Sequence, residues 1–225
     1  MTAFAAFAAV LDPPRPVRRV NGRVPPPPPT GGGDDDDQDP KPRRSGLDNA
    51  RLATMFLIAG EIMFFAGLVS SYFVLRSAAA QWPPPLQPRL PVLVTGLNTL
   101  VLLASSLAFA RAVRARDDRA LLLRGLAVAG ALGMVFLLVQ GYEWMQLIGY
   151  GFTVVSGAYG VTFYTLIGLH GVHVVGALAW LAFIVLGVRR GRFLDPGAAG
   201  LRACAMYWHF VVALWPVLYV AVYLL

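Results

Sequence analysis

Five long stretches of the chain are apolar and nearly free of charge, and they limit the possible fold more than any other feature. Each is long enough for the roughly 20 residues that a helix needs to cross the hydrocarbon core of a bilayer. The sequence therefore predicts an all-α, polytopic membrane protein, a bundle of five transmembrane helices. The predicted spans are residues 51–75, 91–110, 121–147, 158–188 and 203–225.

Charged residues are scarce and unevenly placed. They make up 14% of the 225 residues, against about 25% in a typical soluble domain. The net charge of +7 comes almost entirely from arginine, since Lys41 is the single lysine. Because the arginines flank the apolar stretches and form no separate basic domain, we interpret them as membrane anchors and expect no nucleic-acid partner.

The N-terminal segment differs from the rest of the chain in composition. Between residues 25 and 37 it contains runs of proline, glycine and aspartate. A segment with so little apolar surface to bury is typical of disordered chain. We therefore divide the protein into a disordered cytoplasmic tail, residues 1–46, and a transmembrane domain, residues 47–225.

The segments between the spans alternate between rich and poor in arginine. Basic residues are concentrated before the first span, after the second and after the fourth. Because basic segments of membrane proteins tend to stay in the cytoplasm, this pattern predicts a cytoplasmic N-terminus and a C-terminus on the outer side.

Ionisable side chains inside the spans are candidates for function, because a charge within the membrane is costly. They are Glu61, Glu143, His170, His173 and His209. Counting about 1.5 Å of rise per residue from the nearest arginine anchor places Glu61 and His209 in the inner half of the membrane. The same count places Glu143 and His170 near the outer surface. We therefore expect Glu61 to share a site with His209, and Glu143 to share one with His170.

A haem held by two histidines would require imidazoles that face each other at one depth. His173 and His209 differ in depth by about 14 Å, and His170 shares a helix face with His173. The sequence has no HxxxH, CxxC or CxxCH pattern. We therefore expect no metal or haem in this chain and assign no catalytic residue.

The remaining roles follow from the same reasoning. Glu61 has only apolar neighbours on its own helix, so we assign it, with His209 and the anchor Arg51, to a candidate lipid- or proton-linked site. Glu143, His170 and His173 are interpreted as a structural network of hydrogen bonds between helices.

Several short blocks resemble subunit III of the haem–copper oxidases of the cytochrome c oxidase type. The blocks occur in the family's order and together span residues 51–225. They are Glu61-Ile62-Met63-Phe64-Phe65, Asn98-Thr99, Leu102-Leu103-Ala104-Ser105-Ser106, Gln140-Gly141-Tyr142-Glu143, Tyr159-Gly160-Val161-Thr162-Phe163, Gly168-Leu169-His170-Gly171-Val172-His173-Val174 and Tyr207-Trp208-His209-Phe210-Val211.

The resemblance implies a five-helix form that lacks the two N-terminal helices of the seven-helix form. It implies a non-catalytic subunit of a respiratory terminal oxidase in a bacterial plasma membrane, where O2 reduction is coupled to proton translocation. The implied partners are oxidase subunit I, subunit II and small subunits. Haem and copper would belong to these partners, whereas this chain would bind phospholipid in a cleft, stabilise subunit I and support proton uptake. The family's intramembrane carboxylate matches Glu61.

One position departs from the family pattern. The family usually has an aspartate after the sequence Trp-His-Phe-Val, and this chain has Val212, which removes an acid near His209. Three alternatives stay open at this point. They are subunit III of a quinol oxidase or a nitric-oxide-reductase-associated homologue, a small membrane transporter, and a redox subunit that binds haem or quinone.

Overall fold

The computed structural model describes residues 49–85, 90–192 and 199–225. The tail over residues 1–46 lies outside these residues, so its disorder stays a prediction. The described residues form five α-helices and no strand, and the last helix continues into a short π-helical turn, Val220–Leu224. The α-helices are α1 Asn49–Ala78, α2 Val92–Arg114, α3 Arg119–Gly149, α4 Gly157–Arg189 and α5 Ala199–Tyr219.

All five helices are long and apolar enough to cross a membrane, so the chain is a multi-pass membrane protein, as predicted. Most helices extend a few residues beyond the predicted spans, because polar residues continue or cap them at the membrane surface. At the start of α3, for example, Asp118 accepts hydrogen bonds from the backbone N–H groups of Ala120 and Leu121, at 2.8 and 3.1 Å. An acceptor at this position satisfies N–H groups that the helix leaves unpaired.

The helices alternate in direction, so the bundle has two distinct ends. At one end, Arg76 near the end of α1 donates a hydrogen bond to the backbone carbonyl of Leu225. At the other, Arg119 at the start of α3 donates one to the carbonyl of Arg189 at the end of α4. These are called the Arg76 end and the Arg119 end below.

Helices α2 and α3 form a tightly packed hairpin. A Cβ atom on Gly125 would lie 2.5 Å from the Cβ of Ala112, so the two backbones are close together at this point. Further along the same face of α3, Ala129 is fully buried and Gly133 lies against the indole of Trp208. Small residues allow close approach of helices in lipid, so this face of α3 is a packing face.

Helix α1 lies at the edge of the bundle, whereas α5 lies at its centre. Within its most apolar stretch, 11% of the residues of α1 are buried, against 50% for α5. Phe65 and Tyr72 are the large side chains that α1 buries, and Trp208 and Trp215 of α5 are buried among the other helices. The surface of α1 is therefore the part of the bundle that is most open to the membrane.

The segment between α3 and α4 folds back onto the bundle at the Arg76 end. Phe152 is fully buried and its backbone carbonyl accepts a 2.7 Å hydrogen bond from the hydroxyl of Tyr164. Gly151 and Gly157 make the two sharp changes of direction with φ angles of 82° and 77°, which residues with a side chain rarely adopt. This turn fixes the start of α4 and the ring of Tyr159 beside Phe152.

Candidate functional site

Glu61 of α1 and His173 of α4 form a close pair inside the membrane-spanning region. The Oε2 atom of Glu61 lies 2.9 Å from Nε2 of His173, and the two side chains are 18% and 16% exposed. The ring of Phe65 contacts the imidazole edge-to-face, with 5.1 Å between the ring centres. The pair therefore links the outermost helix to the rest of the bundle.

The hydrogen bonds of His173 determine how the pair holds its proton. Its Nδ1 lies 2.6 Å from the carbonyl oxygen of Leu169, which can only accept, so Nδ1 carries a hydrogen. A hydrogen bond between Nε2 of His173 and Oε2 of Glu61 would need one further proton, on either atom. With that proton, the two side chains together would have no net charge.

The pair opens onto a groove between α1 and α4. The groove has a volume of about 540 Å³, and apart from Glu61 and His173 its lining is apolar. The apolar lining residues are Phe56, Leu57, Gly60, Phe64 and Leu169. A proton-holding pair thus lies beside a surface that is suited to an acyl chain.

The expected association of Glu61 with His209 was wrong. The depth count placed Glu61 about 15 Å from Arg51 and His173 about 24 Å from Arg189, yet Glu61 and His173 are in contact. The depth count assumed that the helices stand perpendicular to the membrane and that all the arginine anchors lie at the same depth. Arginine side chains extend along a helix to reach the membrane surface, and spanning helices tilt, so the anchors do not share a level.

His209 is held by α2. Its Nδ1 lies 2.6 Å from the hydroxyl of Ser106, and Phe109 contacts the imidazole with 5.9 Å between the ring centres. Val212, at the position of the family's usual aspartate, is buried in the apolar core. Arg51 is exposed at the start of α1 and makes no hydrogen bond or ion pair with the residues that the structure describes. The structure therefore brings neither His209 nor Arg51 to Glu61.

Glu143 lies in a closed polar site between α2 and α3, and is 4% exposed. Its carboxylate accepts hydrogen bonds from the hydroxyl of Thr95, at 2.9 Å, and from the side-chain amide of Gln140, at 3.1 Å. The same amide also reaches the hydroxyl of Tyr223, at 3.3 Å. The expected contact between Glu143 and His170 was wrong, because α2 and the helix's own preceding turn supply the hydrogen-bond donors.

His170 is fully buried in an aromatic environment. Its ring stacks on Trp215, with 5.0 Å between ring centres, and meets Phe136 edge-to-face. Neither ring nitrogen has a hydrogen-bond partner among the described residues. The residues that we grouped as one structural network, Glu143, His170 and His173, therefore occupy three separate places.

Sequence reasoning missed the residues that complete these sites. His173 was overlooked as the partner of Glu61, although a buried carboxylate needs a partner and the histidine is part of a recognised block. Ser106 was quoted within a block but not connected to His209. Thr95 and Gln140 were missed because the search used ionisable residues, whereas these two side chains are neutral hydrogen-bonding groups.

The sequence as a whole assigns the chain to a family. The family described as cytochrome c oxidase subunit III matches residues 43–225. The chain belongs to the cytochrome c oxidase subunit III family. A probable cytochrome c oxidase subunit 3 of Mycobacterium leprae is 37% identical over 175 residues, which cover 76% of this chain and 86% of that protein.

More distant organisms carry similar proteins. The cytochrome c oxidase subunit 3 of Synechocystis is 35% identical over 174 residues, covering 76% of this chain and 73% of that protein. That of Sus scrofa is 34% identical over 181 residues, covering 77% and 68%. This subunit III is therefore part of a multi-subunit haem–copper oxidase of the respiratory chain, and its described residues include five helices that could span a membrane. The resemblance seen in the sequence blocks is confirmed.

Proposed function

We propose that this chain is the non-catalytic subunit III of a bacterial cytochrome c oxidase, which binds phospholipid, stabilises subunit I and supports proton uptake. O2 reduction would take place on haem and copper held by subunits I and II. The names of the relatives support cytochrome c as the electron donor. The proposed location is the plasma membrane, with the Arg119 end in the cytoplasm, because the basic segments lie at that end.

The Glu61–His173 pair is the observation that carries this proposal. It is an intramembrane carboxylate with a single hydrogen-bonding partner in the described part of the chain, beside a groove of about 540 Å³. The lining would hold acyl chains, and the shared proton would let the pair gain or release a proton next to the bound lipid. A group of this kind suits a subunit that supplies lipid and protons to a neighbour.

The exposed surface of α1 supports a role in assembly. Large apolar side chains along the helix, among them Phe56, Met63 and Val74, are more than 60% exposed. Lipid would cover part of this surface, and the remainder would contact other subunits. We propose that lipid in the groove fills the space between α1 and its neighbours and so stabilises subunit I during turnover.

The test is a substitution that retains the shape of the Glu61 side chain but removes its titratable carboxyl group. The oxidase complex carrying Glu61→Gln would be reconstituted in nanodiscs, and bound phospholipid, proton uptake and the decay of activity over many turnovers would be measured. We expect less retained lipid, slower proton uptake and faster decay, with normal initial activity. Glu143→Gln is the matched control, because Glu143 is also an intramembrane carboxylate but does not line the groove. Unchanged lipid content and unchanged decay in Glu61→Gln would contradict the proposal.

A further inference from the structure

A second pocket lies at the Arg76 end of the bundle and has a different chemistry from the α1–α4 groove. It has a volume of about 540 Å³ and lies where α1, the start of α2, the start of α4 and the last residues of the chain meet. Tyrosine hydroxyls and a guanidinium line it, together with Trp82 and several aliphatic side chains. The described residues that line it include no aspartate or glutamate.

Three buried tyrosines bring hydroxyl groups to this pocket. The hydroxyl of Tyr72 accepts a hydrogen bond from the indole N–H of Trp82, at 3.2 Å, and that of Tyr223 accepts one from Gln140, at 3.3 Å. The hydroxyl of Tyr159, a residue that is 4% exposed, makes no hydrogen bond with any described residue. Each hydroxyl also carries a proton to donate, and none of the three donates to an acceptor in the described parts of the chain.

Arg76 adds positive charge to the same pocket. Its guanidinium donates one hydrogen bond to the carbonyl of Leu225. A guanidinium has five N–H donors, so further donors remain for a ligand. The pocket therefore combines a cation with three O–H donors. These donors face the pocket, and a ligand with several acceptor oxygens would accept hydrogen bonds from several of them at once.

The aromatic rings hold these donors in fixed positions. The indole of Trp82 contacts both Tyr72 and Tyr159 edge-to-face, with 5.6 and 5.1 Å between ring centres. Phe152 supports Tyr159 from the other side, at 5.1 Å. A ligand would therefore meet donors that need little rearrangement, which favours binding.

We infer that this pocket binds the phosphate group of a phospholipid. An oxyanion accepts several hydrogen bonds and pairs with arginine, and the pocket lies at the helix ends, where lipid headgroups are found. Leu224 and Leu225 are exposed at its rim and would contact the acyl chains. The inference is independent of the proposed role of Glu61, which lies about three helical turns away along α1.

The test measures binding of dihexanoyl phosphatidylglycerol to the full chain in a neutral detergent. Tyr159→Phe removes one hydroxyl and keeps the ring, so we expect about fivefold weaker binding, the usual effect of one hydrogen bond. Arg76→Gln should weaken binding more than tenfold and reduce its salt dependence. Tyr150→Phe is the matched control with unchanged binding, because Tyr150 lies at the same end but is 76% exposed and does not line the pocket.

Three results would overturn the inference. Equal affinity in the wild type, Tyr159→Phe and Arg76→Gln would show that these groups do not hold the phosphate. Competition by inorganic phosphate at the same concentration as the lipid would assign the pocket to a free anion. Lipid bound by the single chain but absent from this pocket in the assembled oxidase would show that the pocket is not a lipid site in the complex.

Discussion

Glu61 and Glu143 are both carboxylates within membrane-spanning helices, but their environments differ. Glu143 is closed off between α2 and α3, with donors from Thr95 and Gln140. Among the described residues, Glu61 has the single hydrogen-bonding partner His173, and it opens onto an apolar groove between α1 and α4. The Glu143 site therefore has the properties of a structural contact between helices, whereas the Glu61 carboxylate is accessible from the groove.

The packing of the helices shows the same contrast. At Gly125, in the α2–α3 hairpin, an added Cβ would lie 2.5 Å from the Cβ of Ala112, whereas at Gly67 of α1 it would meet nothing within 4 Å. The hairpin is closed at Gly125, whereas α1 is open at Gly67. The comparison indicates that α2 and α3 pack tightly against each other, while much of the surface of α1 stays exposed.

The largest expected loss of stability comes from placing a branched side chain between α2 and α3. Gly125→Val should lower the free energy of unfolding by about 3 kcal/mol, because the backbones of α2 and α3 must move apart to admit it. Gly67→Val is the matched control and should change it by less than about 1 kcal/mol. Unfolding in mixed detergent micelles would measure both. Similar values for the two variants would contradict the contrast between the hairpin and α1.

The next largest loss of stability should follow when the enclosed carboxylate of Glu143 loses one hydrogen-bond donor. Thr95→Val retains the shape of the side chain but leaves Glu143 without its 2.9 Å hydrogen bond. We expect a loss of about 2 kcal/mol, since a buried acceptor that loses its donor keeps its desolvation penalty. Ser71→Ala is the control, because the exposed Ser71 hydroxyl bonds only to its own helix, and should cost less than about 0.5 kcal/mol.

Much of the architecture was predictable because membrane helices follow from simple requirements. The five apolar stretches had the length needed to cross a bilayer. This inference depends only on properties within each helix. The five helices are confirmed by the structure.

The contacts between helices were not predictable by the same means. Pairing Glu61 with His173 depends on the tilt and relative height of α1 and α4, which sequence spacing does not encode. Thr95 and Ser106 are neutral residues whose side chains acquire a role only from the helix that faces them. The tyrosine pocket at the Arg76 end joins four separate segments, so no local pattern indicates it.

A third prediction measures which histidine interacts with Glu61. In a double-mutant cycle, Glu61→Gln and His173→Gln should show a coupling energy of about 1 kcal/mol, because each removes one side of the 2.9 Å contact. The cycle of Glu61→Gln with His209→Gln should show no coupling. Coupling to His209 in place of His173 would restore the pairing that the depth count favoured and would refute the described geometry.

The smallest expected effect concerns His209, whose position is intermediate between the open and the closed carboxylate. Its hydrogen bond to Ser106 joins α2 to α5 at 2.6 Å, and the histidine is half-buried. Ser106→Ala should lower the free energy of unfolding by about 0.6 kcal/mol, the average for such bonds between membrane helices.

Nitrogen NMR of the labelled imidazole of His209 should show altered hydrogen bonding at Nδ1 in Ser106→Ala. Ser77→Ala is the control: it removes a hydroxyl that is bonded within α1, and it should leave that signal unchanged. An unaltered Nδ1 signal in Ser106→Ala would mean that His209 is held by another group, and a loss close to that of Thr95→Val would place it with the closed sites of the hairpin.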